Sequence, residues 1–135
     1  MDAFLAALEP VVRAIRVGDP LDPASKMGAI VDGKQTERIM RFIEAGKSTA
    51  NLVVGGKQVT VGGQGHYIEP TIFDDVDHDD PIARDEIFGP VLSIIPFDTE
   101  EEAVTMANDS IYGLAASVWT DNLSRAHRVA DAIHA

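Results

Sequence analysis

Cysteine is absent from the 135 residues. That absence excludes disulfides, thiolate zinc sites and any thiol nucleophile within the chain. Positive charge is scarce too: 11 Lys and Arg stand against 22 Asp and Glu, a net charge of −11. Such a field repels the phosphates of nucleic acid and the surface of anionic membranes, so neither is an expected partner. No apolar run approaches the about 20 residues that a bilayer span requires. Met1-Asp2-Ala3-Phe4-Leu5 carries no positive stretch, so no secretory signal is expected and a cytoplasmic setting is the default. What is present is a 45% hydrophobic composition with mean hydropathy near zero, which suits a globular α/β domain of ordinary size.

Periodicity organises the chain. Phe4, Leu5, Leu8, Val11, Val12 and Ile15 recur at helical spacing and predict a helix over 2–16, interrupted at Pro10 by the missing amide hydrogen. Gly18-Asp19-Pro20-Leu21-Asp22-Pro23 reads as a loop. Asp32, with Gln35 three residues on, resembles a capping box that opens a second helix. Ile39, Phe42 and Ile43 form its apolar stripe, and Gly46 is its expected stop. Asn51–Val54 is a strand candidate. Val59-Thr60-Val61 lies among glycines in a hairpin or loop, which lacks the Gly-Lys-Ser/Thr ending of a phosphate cradle. Tyr67–Phe73 reads as one further strand.

The last third alternates. Val91–Phe97 is nearly continuously apolar, as in a strand covered on both faces. Thr99 and Glu102 form a capping box for a helix to about Asn108, Leu114–Thr120 is a second apolar strand, and Leu123, Ala126, Ala130 and Ile133 mark a final helix. This order predicts a right-handed parallel βαβ unit, hence a partial parallel sheet with crossover helices. No domain boundary and no repeat is evident.

Three constellations are candidate sites. In Asp85-Glu86-Ile87-Phe88-Gly89-Pro90, Glu86 and Phe88 lie two apart, on one side of an extended segment. A carboxylate there can accept two hydrogen bonds from a vicinal diol, an aromatic face can lie against a planar ring, and Gly89 permits close approach of a ligand. By spacing alone, a charged turn with Phe88 in the core is the simpler reading. The acidic run Asp75-Val76-Asp77-His78-Asp79, with Ile82 eighth and Glu86 twelfth, partly fits a calcium loop. However, Asp80 occupies the sixth position, where glycine should turn the chain, so a solvated loop and no metal site are expected. His127 and His134 are seven apart, too far for one metal on a helix, and all four histidines read as solvent-facing. A non-catalytic binding module therefore stays open as an alternative.

Glu86-Ile87-Phe88-Gly89-Pro90-Val91 resembles the glutamate-containing signature of the aldehyde dehydrogenase superfamily. The loop at Gly18–Pro23 with Met27-Gly28 is also similar to that family. So are Phe42–Lys47 with Gly55-Gly56, Glu69-Pro70-Thr71-Ile72-Phe73, Ala107-Asn108, and Tyr112–Val118. Order and spacing agree over essentially the whole chain. Asn108-Asp109-Ser110, Val118-Trp119-Thr120 and Leu123–Arg128 resemble in texture the gamma-glutamyl-gamma-aminobutyraldehyde dehydrogenases within that family.

The resemblance implies a segment of the aldehyde dehydrogenase catalytic domain over 1–135, downstream of the catalytic cysteine segment and inactive alone. It implies oxidation of an aldehyde to a carboxylic acid with NAD or NADP: a cysteine thiolate attacks the aldehyde, hydride passes to the nicotinamide, and a glutamate-activated water releases the acid. It implies that Glu86 hydrogen-bonds the nicotinamide ribose and that Phe88 contacts the nicotinamide ring. Gln35 and Arg38, one helical turn apart, fall where the family places adenosine-ribose contacts, although lysine is commoner than Arg38. The parent is expected to be a homo-oligomer whose aldehyde pocket lies largely outside this segment.

Overall fold

The computed structural model describes residues 2–135, which fall into two compact units, one ending at Pro96 and the other comprising Phe97–Ala135. Together they form a mixed α/β structure with a partly parallel sheet. None of the described helices is long and apolar enough to cross a membrane.

The first unit opens with α1 (Asp2–Arg13), which runs through Pro10 but stops short of residue 16. The end is drawn off by pairing: Lys26 N donates to Arg16 O at 2.9 Å and Gly18 N to Met27 O at 3.0 Å, so this stretch meets the chain returning from the loop instead of continuing the helix. Next comes α2 (Gly33–Thr49), capped by Asp32, whose Oδ1 accepts from Gln35 N at 2.7 Å. The expected stop at Gly46 is not observed. Gly46 is buried inside α2, where a Cβ would lie 2.9 Å from Ile82 Cδ1 and 3.1 Å from Phe73 Cζ. It is a packing glycine: the close approach of the sheet and the next helix, not the helix end, explains the missing side chain.

Strands β1 (Asn51–Val54), β2 (Gln58–Val61), β3 (Gln64–Ile68) and β4 (Thr71–Asp74) follow. β2 and β3 form an antiparallel hairpin around Gly62-Gly63. The single strand expected over Tyr67–Phe73 is thus two, parted at Glu69-Pro70, since proline lacks the donor a continuing ladder needs. A short helix, α3 (Pro81–Arg84), leads to β5 (Val91–Ser93). The order β1-β4-β5 makes a three-stranded sheet, antiparallel between β1 and β4 and parallel between β4 and β5. β5 is shorter than the expected Val91–Phe97. Ile94 N still donates to Phe73 O at 2.9 Å, but Pro96 cannot extend the pairing. Ile39 and Ile43 from α2 meet Ile68, Phe73, Val76, Ile82 and Ile87 in one core.

In the second unit α4 (Glu100–Asn108) is capped by Thr99, and α5 (Leu123–Ala132) by Asn122. Arg128 Nη2 donates to Glu100 Oε2 at 2.7 Å, and Asn108 Nδ2 to Ala132 O at 2.8 Å, joining the helices. The strand expected at Leu114–Thr120 is not formed, so neither is the βαβ unit built on it; the parallel pair is β4–β5 instead. An extended segment becomes a strand only when a neighbour takes its amide and carbonyl groups, and here no described strand pairs with it.

Candidate cofactor-binding site

The loop from Asp85 to Pro90 joins α3 to β5 and lies against the N-terminal half of α2. Its anchor is Ile87, only 8% exposed and part of the core cluster. Burying Ile87 turns its neighbours outward. Glu86 is exposed, and Phe88 is 71% exposed. The simpler reading of Phe88 as core is therefore overturned: the loop buries Ile87 and leaves Phe88 on the solvent side. Gly89 then passes so close to α2 that a Cβ would lie 2.7 Å from Ile39 Cγ1. The expected ligand approach at Gly89 is in this structure an approach by the helix.

Gln35 and Arg38 share one face of α2, as their spacing implies, and both reach this loop. Gln35 Nε2 donates to the carbonyls of Ile87 at 3.0 Å and Phe88 at 3.3 Å. Arg38 donates through Nη1 to Ile87 O at 2.7 Å and through Nη2 to Glu86 O at 2.8 Å. The Arg38 guanidinium carbon also stands 5.1 Å from the centre of the Phe42 ring, within cation–π range. The four sequence-derived residues, Glu86, Phe88, Gln35 and Arg38, are therefore together. Two present side chains to solvent, and two grip the backbone between them. Phe88 adopts φ +54, a region unfavourable for a residue with a Cβ. Nothing in the residue pattern announced that conformation or the carbonyl contacts. The Gln35–Arg38 spacing was the one available signal that α2 carries polar groups beside the signature.

Apart from this site, Asp80 is the N-cap of α3, 7% exposed, its Oδ1 accepting from Ile82 N at 2.9 Å. The residue that departs from the calcium-loop pattern thus has a structural task. His78 is half-buried, with Nε2 2.9 Å from Arg84 Nη1, which corrects the solvent-facing expectation for that histidine. His66, His127 and His134 are exposed.

The family model described as "Aldehyde dehydrogenase family" matches residues 1–135. A betaine aldehyde dehydrogenase of Rhizobium etli is 46% identical over 134 residues, covering 98% of this chain and 28% of that protein. The solved gamma-glutamyl-gamma-aminobutyraldehyde dehydrogenase of Burkholderia cenocepacia is 54% identical with a TM-score of 0.95, covering 99% of this chain and 27% of that one. The indole-3-acetaldehyde dehydrogenase of P. syringae, solved as a C302A mutant with NAD+ and IAA, is 50% identical with a TM-score of 0.94, covering 98% and 27%. The chain thus spans little more than a quarter of these relatives' length, and it belongs to the aldehyde dehydrogenase family.

Proposed function

We propose that the whole protein containing this segment is an NAD(P)-dependent aldehyde dehydrogenase that oxidises an aldehyde to a carboxylic acid, and that this chain contributes nicotinamide-side cofactor contacts. The observation carrying the reading is the paired exposure of Glu86 and Phe88 on a loop gripped from α2. The residues fit the group chemically. Glu86 offers a carboxylate with both oxygens free to accept from the two hydroxyls of a ribose, and Phe88 offers an apolar face for a flat ring. When bound, the nicotinamide supplies a hydride acceptor. Glu86 and Phe88 orient it, and Gln35 and Arg38, which the resemblance assigns to the adenosine ribose, also hold the backbone of the loop that carries Glu86 and Phe88. The solved relatives bound to NAD+ support the cofactor class.

This chain alone, lacking cysteine, supplies no thiolate and does not oxidise aldehydes. The net charge of −11 in this segment speaks against nucleic-acid and anionic-membrane partners; the cytoplasmic, homo-oligomeric parent is proposed on the family resemblance alone.

The test is Glu86→Gln and Phe88→Leu in the whole protein. Charged hydrogen bonds are worth about 1.5–3 kcal/mol each. Glu86→Gln should therefore lower hydride transfer about tenfold or more and weaken cofactor binding, with an unchanged melting temperature. Phe88→Leu should loosen the nicotinamide with less effect on stability than a core truncation. Normal kinetics in both variants, with several kcal/mol of stability lost, would make these residues structural and end the reading.

A further inference from the structure

Adjacent carbonyls in an extended chain point to opposite sides. Between Glu86 and Phe88 they do not: the carbonyls of Glu86 and Ile87 both accept from one planar guanidinium, and those of Ile87 and Phe88 from one carboxamide. Such convergence requires the chain to turn here, and the turn ends at Phe88 with φ +54. A phenylalanine resists that region, because its Cβ crowds the neighbouring carbonyl, so its surroundings must hold it there. The carbonyls of residues 86–88 are held by the side chains of Gln35 and Arg38, while those of Gly89 and Pro90 accept from the backbone amides of Val91 and Thr71.

The Arg38 guanidinium is itself braced, lying over Phe42, and the backbone N–H of Gln35 donates to the Asp32 cap at 2.7 Å, which fixes the helix turn that carries the Gln35 side chain. A guanidinium fork is suited to this task, since its donors leave in fixed, parallel directions. An ammonium has no such plane.

We propose that Arg38, assisted by Gln35, is a positioning residue that clamps the carbonyls of residues 86–88, holds Phe88 in the left-handed conformation, and thereby aims the side chains of Glu86 and Phe88. The proposal rests on the cofactor reading of those two side chains. With the clamp released, the peptide plane between Ile87 and Phe88 rotates, Phe88 returns to negative φ, and the directions of the Glu86 and Phe88 side chains change. The loop stays attached, because Ile87 remains buried and Gly89 remains against Ile39.

The test compares Arg38→Met, which keeps the stem and removes the donors, with Arg38→Lys and Gln35→Met in the whole protein. Crystal structures give φ at residue 88, and single-turnover kinetics give hydride transfer. For Arg38→Met, φ at Phe88 should become negative and hydride transfer should fall about tenfold to a hundredfold, the scale of a small misplacement of reacting groups. Arg38→Lys should recover part of both, and Gln35→Met should show a smaller loss; these milder variants carry the test if Arg38→Met does not fold.

Three results overturn the clamp. If hydride transfer falls while φ stays positive, Arg38 acts on the ligand directly. If neither changes while Glu86→Gln remains impaired, the clamp is wrong and the cofactor reading stands. If φ is lost and transfer is untouched in Arg38→Met, Glu86→Gln and Phe88→Leu alike, the cofactor reading has failed with it.

Discussion

The unit ending at Pro96 and the unit from Phe97 onward use similar residues to different ends. In the first, two turns of α2 deliver Ile39 and Ile43 to a core in which Phe73, Ile68 and Ile72 are at most 1% exposed. In the second, neither α4 nor α5 buries a residue fully, and Leu114 and Trp119 are 95% and 92% exposed. Both units have capped, amphipathic helices. What separates them is a paired sheet: β1, β4 and β5 give α2 a surface to cover, whereas residues 114–120 form no strand. Amphipathicity therefore prepares a helix for burial without accomplishing it. The candidate site belongs to the unit that has its own core, so its loop geometry is held by packing as well as by hydrogen bonds.

Core truncation should break the contrast most sharply. Phe73→Ala removes a fully buried ring from the centre of the first unit and should cost about 3–5 kcal/mol in urea-induced unfolding. A loss below 1 kcal/mol would mean that the first unit is no better packed than the second. Next in size is Asp80→Ala, which strips a buried cap from α3. Loss of an N-cap costs about 0.5–2 kcal/mol. Asp80→Asn, which keeps the accepting oxygen, should recover most of it.

A smaller effect concerns pH. In the second unit Glu100 is held below the usual carboxylate range, first by its hydrogen bond from Arg128 and then, against some desolvation, by the charges of Arg128 and Arg125. A depressed folded-state value means that the stabilisation is present above the ordinary carboxylate range and is lost as pH falls through the depressed value. Helicity followed by circular dichroism should therefore decline slightly in that acid range. Salt should weaken the dependence, because the arginines are largely exposed. Glu100→Gln should remove it. The smallest effect is expected for Trp119→Ala in this chain, within about 0.5 kcal/mol, because a side chain 92% exposed loses little on truncation. A loss comparable to that of Phe73→Ala would show that the second unit has a core after all.

Much of this was legible beforehand. The cap at Asp32, the stripe of Ile39 and Ile43, the cap at Thr99 and the hairpin around Gly62-Gly63 follow from contacts within a few residues, which is the range residue patterns encode. The resemblance picks out Glu86, Phe88, Gln35 and Arg38 but sets the two pairs at different parts of the cofactor; their gathering is not legible, since nothing local ties α2 to a loop some fifty positions later. The misjudged positions share one feature. The role of Gly46 depends on Phe73 and Ile82, and the break of Tyr67–Phe73 depends on which strands β3 and β4 choose as partners.

The sequence by itself determined which segments cap, coil and turn, the excess of negative charge, the absence of a thiol nucleophile and the presence of the family's signature. These are properties of composition and of neighbours along the chain. Only the tertiary structure decided that Phe88 stands outward in a left-handed turn, that Arg38 and Gln35 grip the carbonyls beside it, and that residues 114–120 remain unpaired. Those outcomes depend on which distant groups meet, and a hydrogen bond spanning about fifty residues, or a strand without a partner, leaves no local periodicity to read.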